Sequence, residues 1–98
     1  MANKIAGLAH GRASTTQKVA YTGTAGVITN PVGSYTTLCR VVVTSNAYIA
    51  FGTAPTATTS DVYVPANVPE YFTIRPGEKV SAVQDAAGGN LIVTEMTY

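Results

Sequence analysis

The chain has 98 residues, of which 46% are hydrophobic and only 11% are charged, and its formal net charge is +1. This length provides for one domain with a single core. The six Lys and Arg residues are scattered, which argues against a basic surface for nucleic acid, and no apolar stretch approaches the ~20 residues of a transmembrane helix. We therefore expect neither nucleic acid nor a membrane as a partner.

The low charge also bears on the surface of the molecule. Ordinary domains contain roughly 25% charged residues, and a solitary soluble domain usually stays dispersed by means of a charged surface. Here much of the surface must be formed by Thr, Ser, Ala, Gly and Tyr. A small β-protein that tolerates a neutral surface is one interpretation. A chain whose surface is largely covered by other protein is the other, and it is favoured.

The first 15 residues differ from the rest of the chain. They are mostly small and polar and include Gly7 and Gly11. We predict a flexible N-terminal arm over 1–15, followed by one compact antiparallel β-sandwich domain over 16–98. The apolar run in the arm is too short and broken for a signal peptide. We therefore expect a chain that is made in a cytoplasm and not exported by a cleaved signal.

The remaining chain is rich in β-branched and aromatic residues, which strands prefer, and it contains no convincing helical window. Turn signals recur roughly every 8–12 residues, which is the spacing expected of an all-β sandwich or small barrel. In chain order we predict strands at 16–23, 35–44, 47–52, 62–64, 70–75, 79–84 and 91–98, with a brief pairing at 27–29.

Two of these strands are predicted to form a hairpin. Ser45 and Asn46 lie between 35–44 and 47–52, and a two-residue connection is short enough for a tight turn. Asn also tolerates the positive φ that such turns require. The stretch 35–52 therefore favours two neighbouring antiparallel strands.

A second turn follows the strand at 70–75. Residues 75–78 read RPGE, in which proline presets φ and Gly77 supplies the positive φ of a type II turn. Alternation along the preceding strand places Phe72 and Ile74 on one face. The apolar strand positions predict a core made of Leu38, Val41, Val43, Ile49, Phe51, Phe72, Ile74, Val80, Val83, Leu91 and Val93.

No pattern in the chain indicates a reaction. The single histidine, His10, and the single cysteine, Cys39, cannot form a zinc site of the usual kind. No Gly-x-Ser-x-Gly motif is present, and Asp61 and Asp85 lack the further oxygen ligands of a calcium loop. We predict a non-enzymatic protein without catalytic, metal-binding or cofactor-binding residues. Cys39 lies in the apolar run TLCRVVV, which predicts a buried thiol.

The tyrosines suggest contacts with other molecules. There are six of them against two phenylalanines and no tryptophan. Tyrosine combines apolar area with a polar tip, which suits protein interfaces and sugar stacking. It also fills half-exposed strand positions, and this alternative stays open. The candidate interface residues are Arg12, Lys18, Tyr48, Tyr63 and Tyr71.

A resemblance adds to these inferences. Residues 40–96 contain a strand ending in AFG, the loop TAPTAT, the segment VPAN, the strand EYF, the turn RPGEKV and the closing strand LIVTEM. In this combination the chain resembles small all-β virion proteins of tailed bacteriophages, most of all the cement (decoration) proteins of phage heads. The resemblance covers a little over half of the chain.

The resemblance implies a jelly-roll protein that forms a homotrimer and contacts the major capsid protein on the outer surface of the capsid. Such a chain is made in the host cytoplasm and resides in the virion. The resemblance transfers no individual site residues. Two alternatives remain: another virion component, such as a tail, neck or fibre piece, and a module that binds host glycans.

Overall fold

The computed structural model describes residues 12–97, and within that range the chain forms two antiparallel sheets and no helix. The all-β expectation is confirmed. No helix in this range is long and apolar enough to cross a membrane. The strands are β1 (Arg12–Tyr21), β2 (Gly26–Val27), β3 (Leu38–Val43), β4 (Ala47–Gly52), β5 (Val62–Val64), β6 (Glu70–Thr73), β7 (Lys79–Gln84) and β8 (Gly89–Thr97).

Each sheet has four strands. Sheet A has the order β1-β8-β3-β6, and sheet B has the order β2-β7-β4-β5. All neighbouring strands are antiparallel. The first strand thus pairs with the eighth, the second with the seventh, the third with the sixth and the fourth with the fifth. The radius of gyration is 13.0 Å, as expected for a compact chain of this length.

Most predicted strands are confirmed. The bounds of β4, β5 and β7 agree with the prediction, because glycine, proline or polar turn residues stand directly beside these short apolar runs. β1 begins at Arg12, four residues earlier than predicted, so that 12–15 belong to a strand. The rest of the predicted arm, 1–11, lies outside the described residues, as does residue 98.

The predicted hairpin over 35–52 is wrong. β3 pairs with β6 and β8, whereas β4 pairs with β5 and β7, so the connection over 44–46 crosses from sheet A to sheet B. The physical reason is burial on both strands. Val41 and Val43 of β3 and Ala47 and Ile49 of β4 are fully buried. Each strand covers the apolar face of the other because they lie in opposite sheets.

Tyr21 holds this crossing in place. Its side chain is buried at the end of β1, and its hydroxyl donates a hydrogen bond to the carbonyl oxygen of Ser45. The same hydroxyl accepts a hydrogen bond from the backbone nitrogen of Ser45 at 3.2 Å. Burial raises the pKa of the Tyr21 hydroxyl above its ordinary value, which keeps the group in the neutral form that can donate.

The Tyr21 hydroxyl should therefore contribute to stability. We expect Tyr21→Phe to lower the free energy of unfolding by about 1–3 kcal/mol, because it removes a buried hydroxyl that bonds to both the backbone nitrogen and the carbonyl oxygen of the half-buried Ser45. The matched control is Tyr48→Phe, because the Tyr48 hydroxyl bonds to Asp85 at the surface. Loss of this exposed hydroxyl should lower the free energy of unfolding by less than about 0.5 kcal/mol. Urea unfolding of both variants measures the difference. Equal costs would contradict this role for the buried hydroxyl.

The core between the sheets agrees largely with the prediction. Phe51 and Phe72 are half-buried and pack on it with their ring centroids 5.3 Å apart. The prediction was wrong for Leu38, which is half-buried and alternates with the inward-facing Cys39. The confirmed buried positions are Val41, Val43, Ile49, Ile74, Val80, Val83, Leu91 and Val93. The prediction missed Tyr21, Ile28, Val32, Ala47, Val64 and Ala82.

Two loops complete the fold. The backbone nitrogen of Ala57 donates to the Ser81 hydroxyl at 3.0 Å, which fixes the loop over 53–61 on sheet B. The second loop, which precedes β3, is held by Glu95 of β8. The buried Glu95 carboxylate accepts hydrogen bonds from the Gly33 nitrogen at 3.0 Å and the Thr36 hydroxyl at 2.5 Å. This loop presents Tyr35 to solvent with 93% of its surface exposed. The predicted strand at 35–44 therefore starts only at Leu38.

The RPGE turn agrees with its prediction. Gly77 has a φ of 86°, and the backbone nitrogen of Glu78 donates to the carbonyl oxygen of Arg75 at 3.0 Å. The Glu78 carboxylate also accepts from the Arg75 nitrogen at 3.0 Å. These bonds join β6 to β7, so the turn connects the edge of sheet A with an inner strand of sheet B.

Candidate interaction surface

Two of the candidate residues meet on sheet B. Tyr48 of β4 lies opposite Tyr63 of β5, and their rings form an edge-to-face pair with centroids 5.5 Å apart. The Tyr48 hydroxyl donates a hydrogen bond to the Asp85 carboxylate at 3.2 Å. This hydrogen bond is the main reason why the pKa of the Tyr48 hydroxyl is raised above its ordinary value. Since the aromatic pair stands on the face that turns away from the core, it is available for contact.

The other candidates lie on sheet A and are separated from one another. Tyr71 of β6 pairs in register with Arg40 of β3 and is 39% exposed. Arg12 and Lys18 are exposed residues of β1, which forms the opposite edge of the sheet. The structure therefore brings Tyr48 and Tyr63 together but does not bring Tyr71 near the two cations.

The short segment that contains β5 and β6 exposes several large apolar side chains. Val62 is 49%, Tyr63 46%, Val68 45% and Tyr71 39% exposed. Tyr63 shares the outer face of sheet B with Tyr48, and Tyr71 shares the outer face of sheet A with Arg40, so the two tyrosines point away from each other. Exposed apolar side chains that lie together typically mark a contact surface, and here Val62 and Tyr63 are adjacent in β5. We call residues 61–73 the β5–β6 flank.

Both strands of the β5–β6 flank are sheet edges on the same side of the molecule. β5 ends sheet B and β6 ends sheet A, and only residues 65–69 connect them. Pro65 and Pro69 stand at the two junctions, where proline prevents a ladder from extending. The free edges of β5 and β6 are therefore short, three and four residues long.

The opposite side is formed by β1 and β2, which lie beside each other across the two sheets. We call residues 12–27 the β1–β2 flank. β1 is ten residues long and pairs with β8 on one side. Its register shifts between Ala13 and Thr16, and Val27 of β2 is 37% exposed. This flank is thus longer and more polar than the β5–β6 flank.

Sequence reasoning found the tyrosines of the β5–β6 flank but missed Val62 and Val68. Their exposure follows from their place in the fold: Val62 begins an edge strand, and Val68 lies in the connection between the sheets. The prolines beside these residues were the available signal, since proline is confined to sheet edges and loops. Tyr35 was also missed as an exposed residue, because it was assigned to a strand.

Cys39 is buried as predicted, at 0% exposure. Burial raises the pKa of Cys39 to about 12. The folded state therefore favours the neutral thiol, and this contribution to stability is complete below the ordinary pKa of 9.0 and is lost as the pH rises towards 12. The thiol has no exposed, charged form available for chemistry at neutral pH.

We expect Cys39 in the folded protein to react with a chromogenic disulfide reagent at pH 8 at least about a hundredfold more slowly than in urea, since the thiolate is the reacting species. Absorbance after mixing measures both rates. Because the chain has one cysteine, the signal needs no correction for other thiols. Fast reaction without urea would contradict the burial of this strand.

Within residues 12–97, no three His, Cys, Asp or Glu side chains come close enough together to hold a metal ion. No family model, no curated protein and no solved structure matches the chain.

Proposed function

We propose that this chain is a non-enzymatic structural protein of a tailed-phage virion, which binds the outer surface of the capsid as a cement protein. The observation that carries the proposal is the set of exposed apolar side chains along the edge strands β5 and β6, at 62–71, on a molecule that is poor in charge. A protein of this kind works by covering surface. A specific contact usually buries roughly 1,200–2,000 Å² of surface. Many symmetric copies, each bound with modest affinity, together stabilise the shell.

We also propose that the fold is a jelly roll and that the working unit is a homotrimer. The strand orders β1-β8-β3-β6 and β2-β7-β4-β5 support the jelly roll, because eight strands in two sheets pair first with last, second with seventh, and so on inwards. The trimer is supported by the resemblance of the chain and by its charge-poor surface.

The test is binding to capsids assembled without this chain. The purified protein, which we expect to be a trimer by light scattering, should bind such capsids in saturating numbers on the order of hundreds per particle, as shell symmetry requires. Cosedimentation and quantitative gel densitometry measure this number. Saturation at a few tens of copies or fewer would place the protein in a tail, neck or fibre instead. No binding by a stable monomer would refute the proposal.

A second candidate function is binding of host glycans. It is favoured by the pair of Tyr48 and Tyr63, with the Asp85 carboxylate at its end, because aromatic faces stack on sugars and carboxylates accept hydrogen bonds from sugar hydroxyls. A glycan array tests it. Tyr63→Ala should then abolish binding, whereas Tyr35→Ala, which removes an exposed tyrosine elsewhere, should leave binding unchanged.

A further inference from the structure

The two flanks carry opposite charge. The β1–β2 flank, 12–27, contains Arg12 and Lys18 and no acidic residue, whereas the β5–β6 flank, 61–73, contains Asp61 and Glu70 and no basic residue. Arg12, Lys18 and Asp61 are exposed, and Glu70 is half-buried. Arg40 lies opposite Tyr71, but it belongs to an inner strand. In a chain with so few charges, this separation gives the molecule one basic and one acidic side.

The two flanks also differ in apolar character. Val62, Tyr63 and Val68 are each nearly half exposed on the acidic flank, and Val27 is the one large apolar side chain with comparable exposure on the described basic flank. Two copies that joined through their β5–β6 flanks would bring acid against acid. Two copies that joined through unlike flanks would bring acid against base and cover the valines and Tyr63.

We infer that copies of this chain associate head to tail, with the β5–β6 flank of one copy against the β1–β2 flank of the next. The occupant of each flank is a second copy of the chain, and charge complementarity selects it. An interface between unlike surfaces is heterologous, and such interfaces close into rings when the rotation between copies permits. The inference rests on the proposed self-association and specifies which surfaces form the ring.

The apolar part of the interface is tested with tyrosine variants. Tyr63→Ser should weaken self-association by roughly tenfold or more, since an aromatic side chain at the centre of an interface contributes strongly. Tyr35→Ser is the matched control, because Tyr35 is still more exposed and lies on neither flank. Light scattering over a range of concentrations gives the association constants, and circular dichroism confirms that each variant is folded.

The charge on the flanks is tested with the double variant Arg12→Glu/Lys18→Glu, which makes the β1–β2 flank acidic. This variant should fail to associate at low salt and should regain part of its association at about 0.5 M salt, where screening suppresses repulsion. The wild-type chain should show the opposite trend. As a control, Arg75→Glu changes a charge outside both flanks and should leave the association constant unchanged.

Three results would overturn the inference. They are a wild-type chain that stays monomeric, a Tyr63→Ser variant that associates as well as the wild type, and a double charge variant with unaltered association. Loss in Tyr63→Ser with no effect of the charge reversal would assign the interface to two like flanks. Capsid binding is read separately. A head-to-tail oligomer that does not bind capsids refutes the proposed cement function but not this inference. A monomer that binds capsids refutes this inference and the proposed trimer but not the cement function.

Discussion

Gly26→Ala should destabilise the protein by more than about 3 kcal/mol, beyond the ordinary range for overpacked sites. A Cβ atom at Gly26 would lie 2.2 Å from the carbonyl oxygen of Ala20 and 3.2 Å from its carbonyl carbon. Both are backbone atoms of β1, which β8 holds in register, so neither can rotate away. Relief would require β1 and β2 to separate at the corner where the two sheets meet. Urea unfolding followed by circular dichroism measures the loss.

The matched control is Gly23→Ala, three residues earlier, in the connection between β1 and β2. Its Cβ would meet only the side-chain amide of Gln84, at 3.7 Å, which is an ordinary contact. We expect a change of less than about 1 kcal/mol, and stabilisation is equally acceptable because alanine restricts the unfolded chain. Comparable losses in the two variants would contradict the close approach of β1 and β2.

These two glycines illustrate what the sequence could predict. The sequence predicts Gly23 as the end of a strand and Gly26 as a loop residue, and a local pattern does not show which of the two glycines lies against another strand. The same limit explains why the prediction of a hairpin over 35–52 was wrong. Ser45 and Asn46 correctly indicate a change of direction, but which sheet receives the next strand is decided by burial on β3 and β4 together, which is a property of the whole fold.

Local sequence patterns were sufficient to predict features that depend only on residues nearby in the chain. The RPGE turn, the alternation of Phe72 and Ile74, and the bounds of β5 all depend on neighbours within a few residues. Tyr35 is the contrasting case. Its sequence context favours a strand, but the Glu95 carboxylate, far along the chain, accepts hydrogen bonds from Gly33 and Thr36 and holds the segment as a loop.

The candidate surface was predicted in part for the same reason. The chemistry of tyrosine predicts contact residues, and Tyr63 and Tyr71 are indeed exposed. Their grouping with Val62 and Val68 depends on β5 and β6 being edges on one side of the molecule. The separation of charge between the flanks likewise appears only when the strand order is known, because along the sequence Lys18 and Glu70 are 52 positions apart.

Leu91→Ala should lower the free energy of unfolding by about 2–5 kcal/mol, the range for removing a large apolar side chain from a core. Leu91 is fully buried. It lies in β8 between Val19 of β1 and Val43 of β3, so both neighbouring strands lose contacts when its side chain is shortened. Urea unfolding at a fixed protein concentration measures the loss. A cost below about 1 kcal/mol would mean that the two sheets do not enclose this side chain.

Ile92→Ala is the matched control, because Ile92 is adjacent in the same strand and is half-buried on the face that turns away from the core. It should cost about 1 kcal/mol, in proportion to the smaller area it buries. Ile92 lies on an inner strand beside Lys18 of the β1–β2 flank. In a head-to-tail ring whose contacts stay on the flanks, the cost should not depend on protein concentration. A cost that approaches that of Leu91→Ala and grows with concentration would mean that a second copy covers sheet A, and the flanks would then not be the interface.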